Sequence, residues 1–365
     1  MAGRIVLFGA TGYTGRLTAD ALVERGARPV LAARSVEPLR RMGDDLGGLE
    51  IAVADVSRPD SVRGLLEEGD VLLTTVGPFV RYGDAAAEAA VTTRAHYLDS
   101  TGEPPFIRRV FEEYGPRAER AGIAMLTALG YDWVPGNLAG ALALRDAEEE
   151  AVRVRIGYFL VGSGNEPSGG TRASSAAALA YPGFAWRDGR IVTERTAKRY
   201  AAFDVDGRRR PAVSAGASEH FGLPRAFPRV REVDVYLGWF GSQSRAIQAA
   251  AAWSDLVTRV PGVRAGMDAV AGRFVRGSSG GPGPEERSRG GSHVVAVACD
   301  SGGRRLAEVH LTGVNGYDFT ARFLAGAAMR IADGAVEGSG ALGPVEAFGT
   351  EGLEEMVREA GLERA

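Results

Sequence analysis

At 365 residues the chain is long for one domain and comfortable for two, with room for a sizeable core. Hydrophobic residues at 45% and charged residues at 24% exclude a disordered chain, and a formal charge of −3 excludes a global pull toward nucleic acid or anionic lipid. A single cysteine, Cys299, excludes an internal disulfide and any zinc site built on several thiolates, and no run of 18 apolar residues is available to span a bilayer. No metal is expected. Met1–Ile5 runs straight into a strand pattern and does not read as a signal peptide, so a cytoplasmic location is expected. Lys198 is the one lysine among 43 basic residues, so chemistry that needs a lysine must use it or not occur.

The first 140 residues alternate short apolar runs with helix-like segments. Strands are predicted at Arg4–Phe8, Pro29–Ala33, Leu49–Val53, Val71–Thr75, His96–Leu98 and Ile123–Leu126. Helices are predicted between them at Tyr13–Arg25, Val36–Leu46, Pro59–Glu68, Asp84–Val91 and Phe106–Ala121, with Ser57 as the cap before Pro59. This alternation specifies an α/β fold, a Rossmann-type doubly wound parallel sheet. After Asn137 the runs lengthen. Val152–Val161, Val230–Phe240, His293–Cys299 and Arg304–Leu311 read as longer strands of an inserted mixed α/β domain. Arg276–Gly291 reads as a mobile surface loop, Asp318–Ile331 as a helix with Phe319, Phe323, Ala327 and Ile331 on one side, and Leu353–Ala360 as a short terminal helix.

Gly9-Ala10-Thr11-Gly12-Tyr13-Thr14-Gly15 follows a strand and opens a helix. In that setting Gly9 permits the sharp exit, Gly12 lets a pyrophosphate approach the backbone, and Gly15 lets helix and strand pack closely. Gly9, Thr11, Gly12, Tyr13, Thr14 and Gly15 are therefore expected to bind a dinucleotide. The second strand ends in Arg34-Ser35, where an NAD site would carry a carboxylate. Guanidinium plus hydroxyl suits a 2′-phosphate, so the expected cofactor is NADP(H). Asp55 and Val56 are expected beside the adenine, and Thr75, Val76, Gly77 and Pro78 beside the ribose and nicotinamide.

Several stretches carry a resemblance. Gly9–Arg16, Leu73–Gly83, His96–Glu103, Gly130–Pro135, Ser168–Thr171, Gly283–Arg287 and Tyr317–Ala321 together resemble the saccharopine dehydrogenase-like family, and within it the trans-acting enoyl reductases. The resemblance implies an NADP-binding Rossmann domain at 1–137, a mixed α/β substrate and dimerisation domain at 138–316, and C-terminal helices at 317–365 that return to the first domain. It also implies reductase chemistry on a small molecule. Two departures from the family pattern, Gly130-Tyr131-Asp132-Trp133-Val134-Pro135 and Arg94-Ala95-His96, leave the substrate open. Long second-domain strands suit a sheet-to-sheet homodimer.

The loops after strands four, five and six leave the carboxyl edge of the sheet and carry Tyr82, Tyr97, Asp99, Glu103, Tyr131 and Asp132. Reduction of C=C or C=N needs a hydride from the cofactor and a proton from the protein. Tyr97 and Tyr131 are the candidate donors, with Asp99 to tune them. Tyr82, Glu103, Asp132, Thr171 and Arg172 are expected to line the substrate. The alternative is that Tyr97 is a core residue and that Asp99 and Thr101 only cap the next helix. Three functions remain open: an NADPH-dependent reductase of an enoyl-type bond in a lipid- or polyketide-like molecule, a C=N reductase of the saccharopine type, and a non-catalytic NADP-binding regulator.

Overall fold

The computed structural model describes residues 3–163, 181–258 and 280–365. Six short apolar runs form parallel strands: β1 (Ile5–Phe8), β2 (Val30–Ala33), β3 (Ile51–Val53), β4 (Val71–Thr74), β5 (His96–Asp99) and β6 (Ala124–Leu126). With β15 (Gly340–Ala341) they make a seven-stranded sheet in the order β15-β6-β5-β4-β1-β2-β3. The helices between them are α1 (Tyr13–Glu24), α2 (Val36–Asp45), α3 (Pro59–Arg63), α4 (Phe79–Thr93), α5 (Pro104–Arg109) and α6 (Gly115–Ala121). Because helices cover both faces, the central strands are apolar on both sides, and β1, β2 and β4 are buried at every residue. The expected doubly wound α/β fold is observed.

Helix boundaries differ where a cap or turn lies outside the apolar pattern. Helix α4 starts five residues before the expected Asp84, directly after Pro78. Arg58, not Ser57, is the cap residue of α3, because Ser57 folds back on Asp55 through its N–H and hydroxyl, both 2.8 Å from Oδ1.

Helix α7 (Val134–Asp146) leaves the carboxyl end of β6 and is buried at every residue from Val134 to Leu144. It needs burial all round because it lies against the second sheet, packing on β7 (Arg153–Gly162), β13 (Gly290–Cys299) and β14 (Arg305–Val314). That nine-stranded sheet also contains β8 (Gly183–Arg187), β9 (Arg190–Glu194), β10 (Tyr200–Val205), β11 (Arg208–Ser214), β12 (Glu232–Leu237) and β16 (Leu362–Arg364). The pair β7–β12 is parallel and the other pairs are antiparallel. The four strands β8–β11 were not expected from the sequence. Helices α8 (Glu219–Ala226), α9 (Ser244–Thr258) and α10 (Pro284–Ser288) belong to this part of the chain.

The Arg276–Gly291 stretch differs from its reading as a mobile loop: α10 occupies its centre, and Gly290 and Gly291 are already in β13. Its first four residues lie outside the described residues. Helix α11 (Gly316–Ala332) buries Phe319, Phe323, Ala327 and Ile331 and packs on α1 and on α12 (Pro344–Glu359). Each of the two phenylalanines contributes about 1.5–3 kcal/mol of burial to that seam. The residues after 332 serve both sheets, since β15 joins β6 while β16 joins β14.

Candidate functional site

Strands β4 and β1 are neighbours at the centre of the first sheet, and the connections from them run to opposite sides. This is the switch point where a doubly wound sheet opens a crevice at its carboxyl edge. One side of the crevice is the turn Gly9–Gly12. Gly9 has φ +95°, a conformation that side chains rarely adopt, and a Cβ on Gly15 would collide with the Gly9 carbonyl. Gly12 caps α1 with no side-chain acceptor, so the first N–H groups of a twelve-residue helix face outward. Thr75 closes the turn from β4 by donating its hydroxyl to the Gly9 carbonyl at 3.2 Å.

At the end of β2, Arg34 and Ser35 are exposed, and Ser35 caps α2 without a side-chain bond. Among the described residues Arg34 has no ion pair. Its neighbour Asp55 is held below the usual carboxylate range, first by the Ser57 N–H and then by the Ser57 hydroxyl, with Arg34 adding to the effect. A free guanidinium, an open helix start and a glycine cradle fit a dinucleotide with a 2′-phosphate. Thr11 is exposed on this turn, and Val56, Val76, Gly77 and Pro78 are half-buried along the same edge.

Tyr13 behaves differently from its expected cofactor contact. Its hydroxyl donates to the Pro282 carbonyl at 2.6 Å, and its ring stands edge-on to Tyr317 at 5.1 Å. The side chain faces the segment that enters α10, which leaves the backbone of this residue, rather than its ring, to serve a phosphate.

The other side of the crevice is built by two buried carboxylates. Glu103 accepts from the N–H groups of Phe79 and Val80, both at 2.9 Å, and so fastens the loop after β5 to the first turn of α4. Asp99 accepts from Thr101 N–H at 2.9 Å, from the Thr127 hydroxyl at 2.7 Å and from Ala128 N–H at 2.9 Å. It ties the loop after β5 to the loop after β6. Burial raises the Asp99 carboxyl to about 6, against the pull of these bonds. Both residues are inaccessible to solvent, so they hold the loops in place instead of meeting a substrate.

The two tyrosines also lie away from the opening. Tyr97 is fully buried in β5, and its hydroxyl has no hydrogen-bond partner; burial and the Asp99 carboxylate push its phenol up. Tyr131 donates its hydroxyl to the Phe159 carbonyl at 3.0 Å, its backbone N–H donates to the Thr320 hydroxyl, and burial pushes its phenol up. Neither offers a loosely held proton at the crevice. Tyr82 is half-buried on α4, with Arg81 lying over its ring at 5.0 Å. Thr171 and Arg172, together with Ser168–Gly170, lie outside the described residues.

Asp132 does offer one. The residue is half-buried, its carboxyl lies against Gly102 in the loop after β5, and that carboxyl has no hydrogen-bond or ion-pair partner among the described residues. Burial alone lifts it to about 7. Behind it stands a pair that sequence reasoning missed. The Tyr158 hydroxyl donates to Glu219 Oε1 at 2.7 Å and accepts from Gly136 N–H at 2.7 Å. A Cβ on Gly136 would collide with both oxygens, so only glycine admits this contact. Burial first, and then the nearby Asp132 charge, raise Glu219 to about 8. The available signal was Glu219 in an otherwise apolar stretch. His220 beside it, in the first turn of α8, packs on Phe184; burial lowers it to about 4, so it is a neutral core histidine. Trp133 packs edge-on to Tyr158 within the core.

Among the described residues, no group of three or more His, Cys, Asp or Glu side chains could hold a metal ion, and no helix is long and apolar enough to cross a membrane.

Comparison with known proteins accords with this geometry. Residues 5–126 match the family described as saccharopine dehydrogenase NADP binding domain. The trans-acting enoyl reductase of Mycobacterium leprae (strain TN) is 40% identical over 140 residues, covering 37% of this chain and 34% of that protein. The trans-acting enoyl reductase of Mycobacterium ulcerans (strain Agy99) is 38% identical over 152 residues, covering 40% of this chain and 36% of that protein. The match therefore spans about a third of the length of these relatives. Apo saccharopine dehydrogenase (L-Glu forming) from Saccharomyces cerevisiae superposes over 100% of this chain and 99% of its own, with a TM-score of 0.59 at 13% identity, a likeness of fold. The resemblance to the saccharopine dehydrogenase-like family, and to the enoyl reductases within it, holds.

Proposed function

We propose, from the premise that residues 5–126 are an NADP-binding domain of the saccharopine dehydrogenase type, that the chain is an NADPH-dependent reductase of an enoyl-type C=C bond in a lipid- or polyketide-like molecule. The observation that carries the proposal is Asp132, a carboxyl that lies against Gly102 in the loop after β5 without a partner among the described residues, and that burial lifts to about 7. NADPH, when bound, supplies a hydride and becomes NADP+. The protein's part is to exclude water, orient the double bond and give a proton to the carbon next to the activating carbonyl. In that step the π bond opens, two C–H bonds form, and Asp132 is left as a carboxylate that takes a proton back from solvent.

The arrangement suits this role because the donor's neighbours are fixed. Glu103 and Asp99 set the loops on either side of it, and Tyr158 with Glu219 closes the space behind. The names of the relatives favour an enoyl substrate over an imine. The test is NADPH oxidation, followed by absorbance, against enoyl thioesters and against cyclic imines. Consumption with the enoyl thioesters alone is expected. Consumption with the imines alone would replace this reading by the C=N reductase, and NADPH binding with no consumption on either would replace it by a non-catalytic regulator.

A further inference from the structure

The segment entering α10 comes from the far end of the chain, yet it lies on the first residue of α1. The Gly281 backbone rests on the Tyr13 ring, and the Tyr13 hydroxyl donates to the Pro282 carbonyl at 2.6 Å. Arg287 binds the knot from the other side. Its Nη1 donates to the Tyr13 hydroxyl at 3.2 Å and to the Pro282 carbonyl at 3.1 Å, and its Nε donates to Asp318 Oδ1 at 2.7 Å. Asn315 completes it by donating from Nδ2 to Asp318 Oδ2 at 2.6 Å and to the Arg287 carbonyl at 3.1 Å. Asn315 also caps α11 by accepting from Tyr317 and Asp318 N–H.

One guanidinium thus joins three elements: α1, the Gly280–Ser288 strap and the start of α11. Such a charge-assisted network resists movement of any one member, because a shift of Tyr13 must break bonds to two others. Tyr13 is the residue next to Gly12, whose turn presents the phosphate-facing N–H groups. The turn that carries those groups, held within the first sheet by Thr75 and by the Ala32 carbonyl, is thus also braced from outside it. No pyrophosphate contact by Arg287 is required for this effect.

We propose that Arg287 is a positioning residue of the dinucleotide site, acting through Tyr13, so that the strap is ordered by the cofactor and the cofactor is held by the strap. The proposal rests on the dinucleotide reading of the Gly9–Gly15 turn but not on the reduction, and it separates Arg287 from Arg34. Arg34 can tell NADPH from NADH, whereas the strap acts on the shared pyrophosphate end and cannot. Binding is reciprocal, so a cofactor that the strap favours must in turn favour the closed strap.

Two measurements on the full chain test this. Fluorescence titrations of Arg287→Ala with NADPH and with NADH should show both affinities falling by a similar factor, about tenfold. Amide hydrogen exchange of residues 280–288 should slow severalfold when NADP+ is added to the wild-type protein, and this protection should vanish in Arg287→Ala. Tyr13→Phe, which keeps the ring and removes only the hydroxyl, should show the same pattern in weaker form and serves where the alanine variant does not fold. Strap exchange indifferent to NADP+, or cofactor affinities in both variants within twofold of wild type, would overturn the proposal. Failure of wild type to bind either nucleotide would instead overturn the dinucleotide reading itself.

Discussion

The two ends of the crevice are built by different means. At the phosphate end, around Gly9–Gly15 and Arg34, recognition rests on backbone geometry and on exposed groups that keep their donors free. At the reaction end it rests on two buried carboxylates, Glu103 and Asp99, whose partners on other elements lie 23 to 29 residues away in sequence, and on the unpartnered Asp132. The first kind of site is robust to side-chain detail but intolerant of added atoms. The second depends on which carboxyl has been left without partners. Asp99 and Glu103 are consumed in holding loops, and that leaves Asp132 as the proposed proton carrier.

Changes at the two ends should therefore separate cleanly. The largest effect is expected for Asp132→Asn, which removes the acid and keeps the shape: single-turnover NADPH oxidation should fall by about 10²–10⁴ while the NADPH titration stays within twofold. Arg34→Ala should do the opposite, weakening NADPH by about ten- to a hundredfold and leaving NADH nearly unchanged in parallel titrations. Equal losses toward both nucleotides would remove the 2′-phosphate contact from the account.

A smaller effect concerns stability. Glu103→Gln keeps one acceptor for the α4 N–H groups but loses the charge, and should cost about 1–2 kcal/mol in denaturant unfolding. Asp99, Asp132 and Glu219 all bind their protons more tightly folded than unfolded. For carboxyls raised in this way the folded state holds more protons between the unfolded and folded values. The contribution of these three groups to stability is then greatest near pH 4 and falls as pH rises toward about 8, while His220 works the other way between about 4 and 6.5. Thermal melts across that window should show the slope against pH shifted upward in Asp132→Asn relative to wild type, because one falling contribution has been removed. The smallest effect belongs to Tyr97→Phe. Removing a buried hydroxyl that lies near the Asp99 carboxylate without a well-formed hydrogen bond should change stability by no more than about 1 kcal/mol, with turnover intact. A large loss of turnover would restore Tyr97 as a proton donor.

The same contrast explains what could be read from the sequence. The parallel strands and the Gly9–Gly15 turn were legible because buried strands are apolar throughout and the turn's chemistry is local. Arg34 draws notice in the sequence because it stands where an acid is usual, and it is exposed at the end of β2. The roles of Tyr97, Tyr131 and Glu103 were not legible. Alternation tells that Tyr97 and Asp99 share a face of β5, but not that this face is sealed. Glu103 reads like any polar loop residue until Phe79 and Val80 are brought beside it. Strands β10 and β11 were hidden because the run Arg208-Arg209-Arg210 masks the start of β11, although Ala201, Phe203 and Val205 of β10 alternate inward and Ala212, Val213 and Ser214 of β11 are buried. Glu219 and Tyr158 are 61 residues apart, and no local pattern pairs them.

Whether the proton for the reaction resides on Asp132 is tested most directly by the pH dependence of kcat/KM for an enoyl thioester. The acid must be protonated to act, and its carboxyl sits at about 7. The account predicts a level rate on the acid side and a fall of about tenfold per pH unit above that value, with the break lost in Asp132→Asn. A wild-type profile that stays flat to about pH 9, or a break that survives in Asp132→Asn, would contradict it.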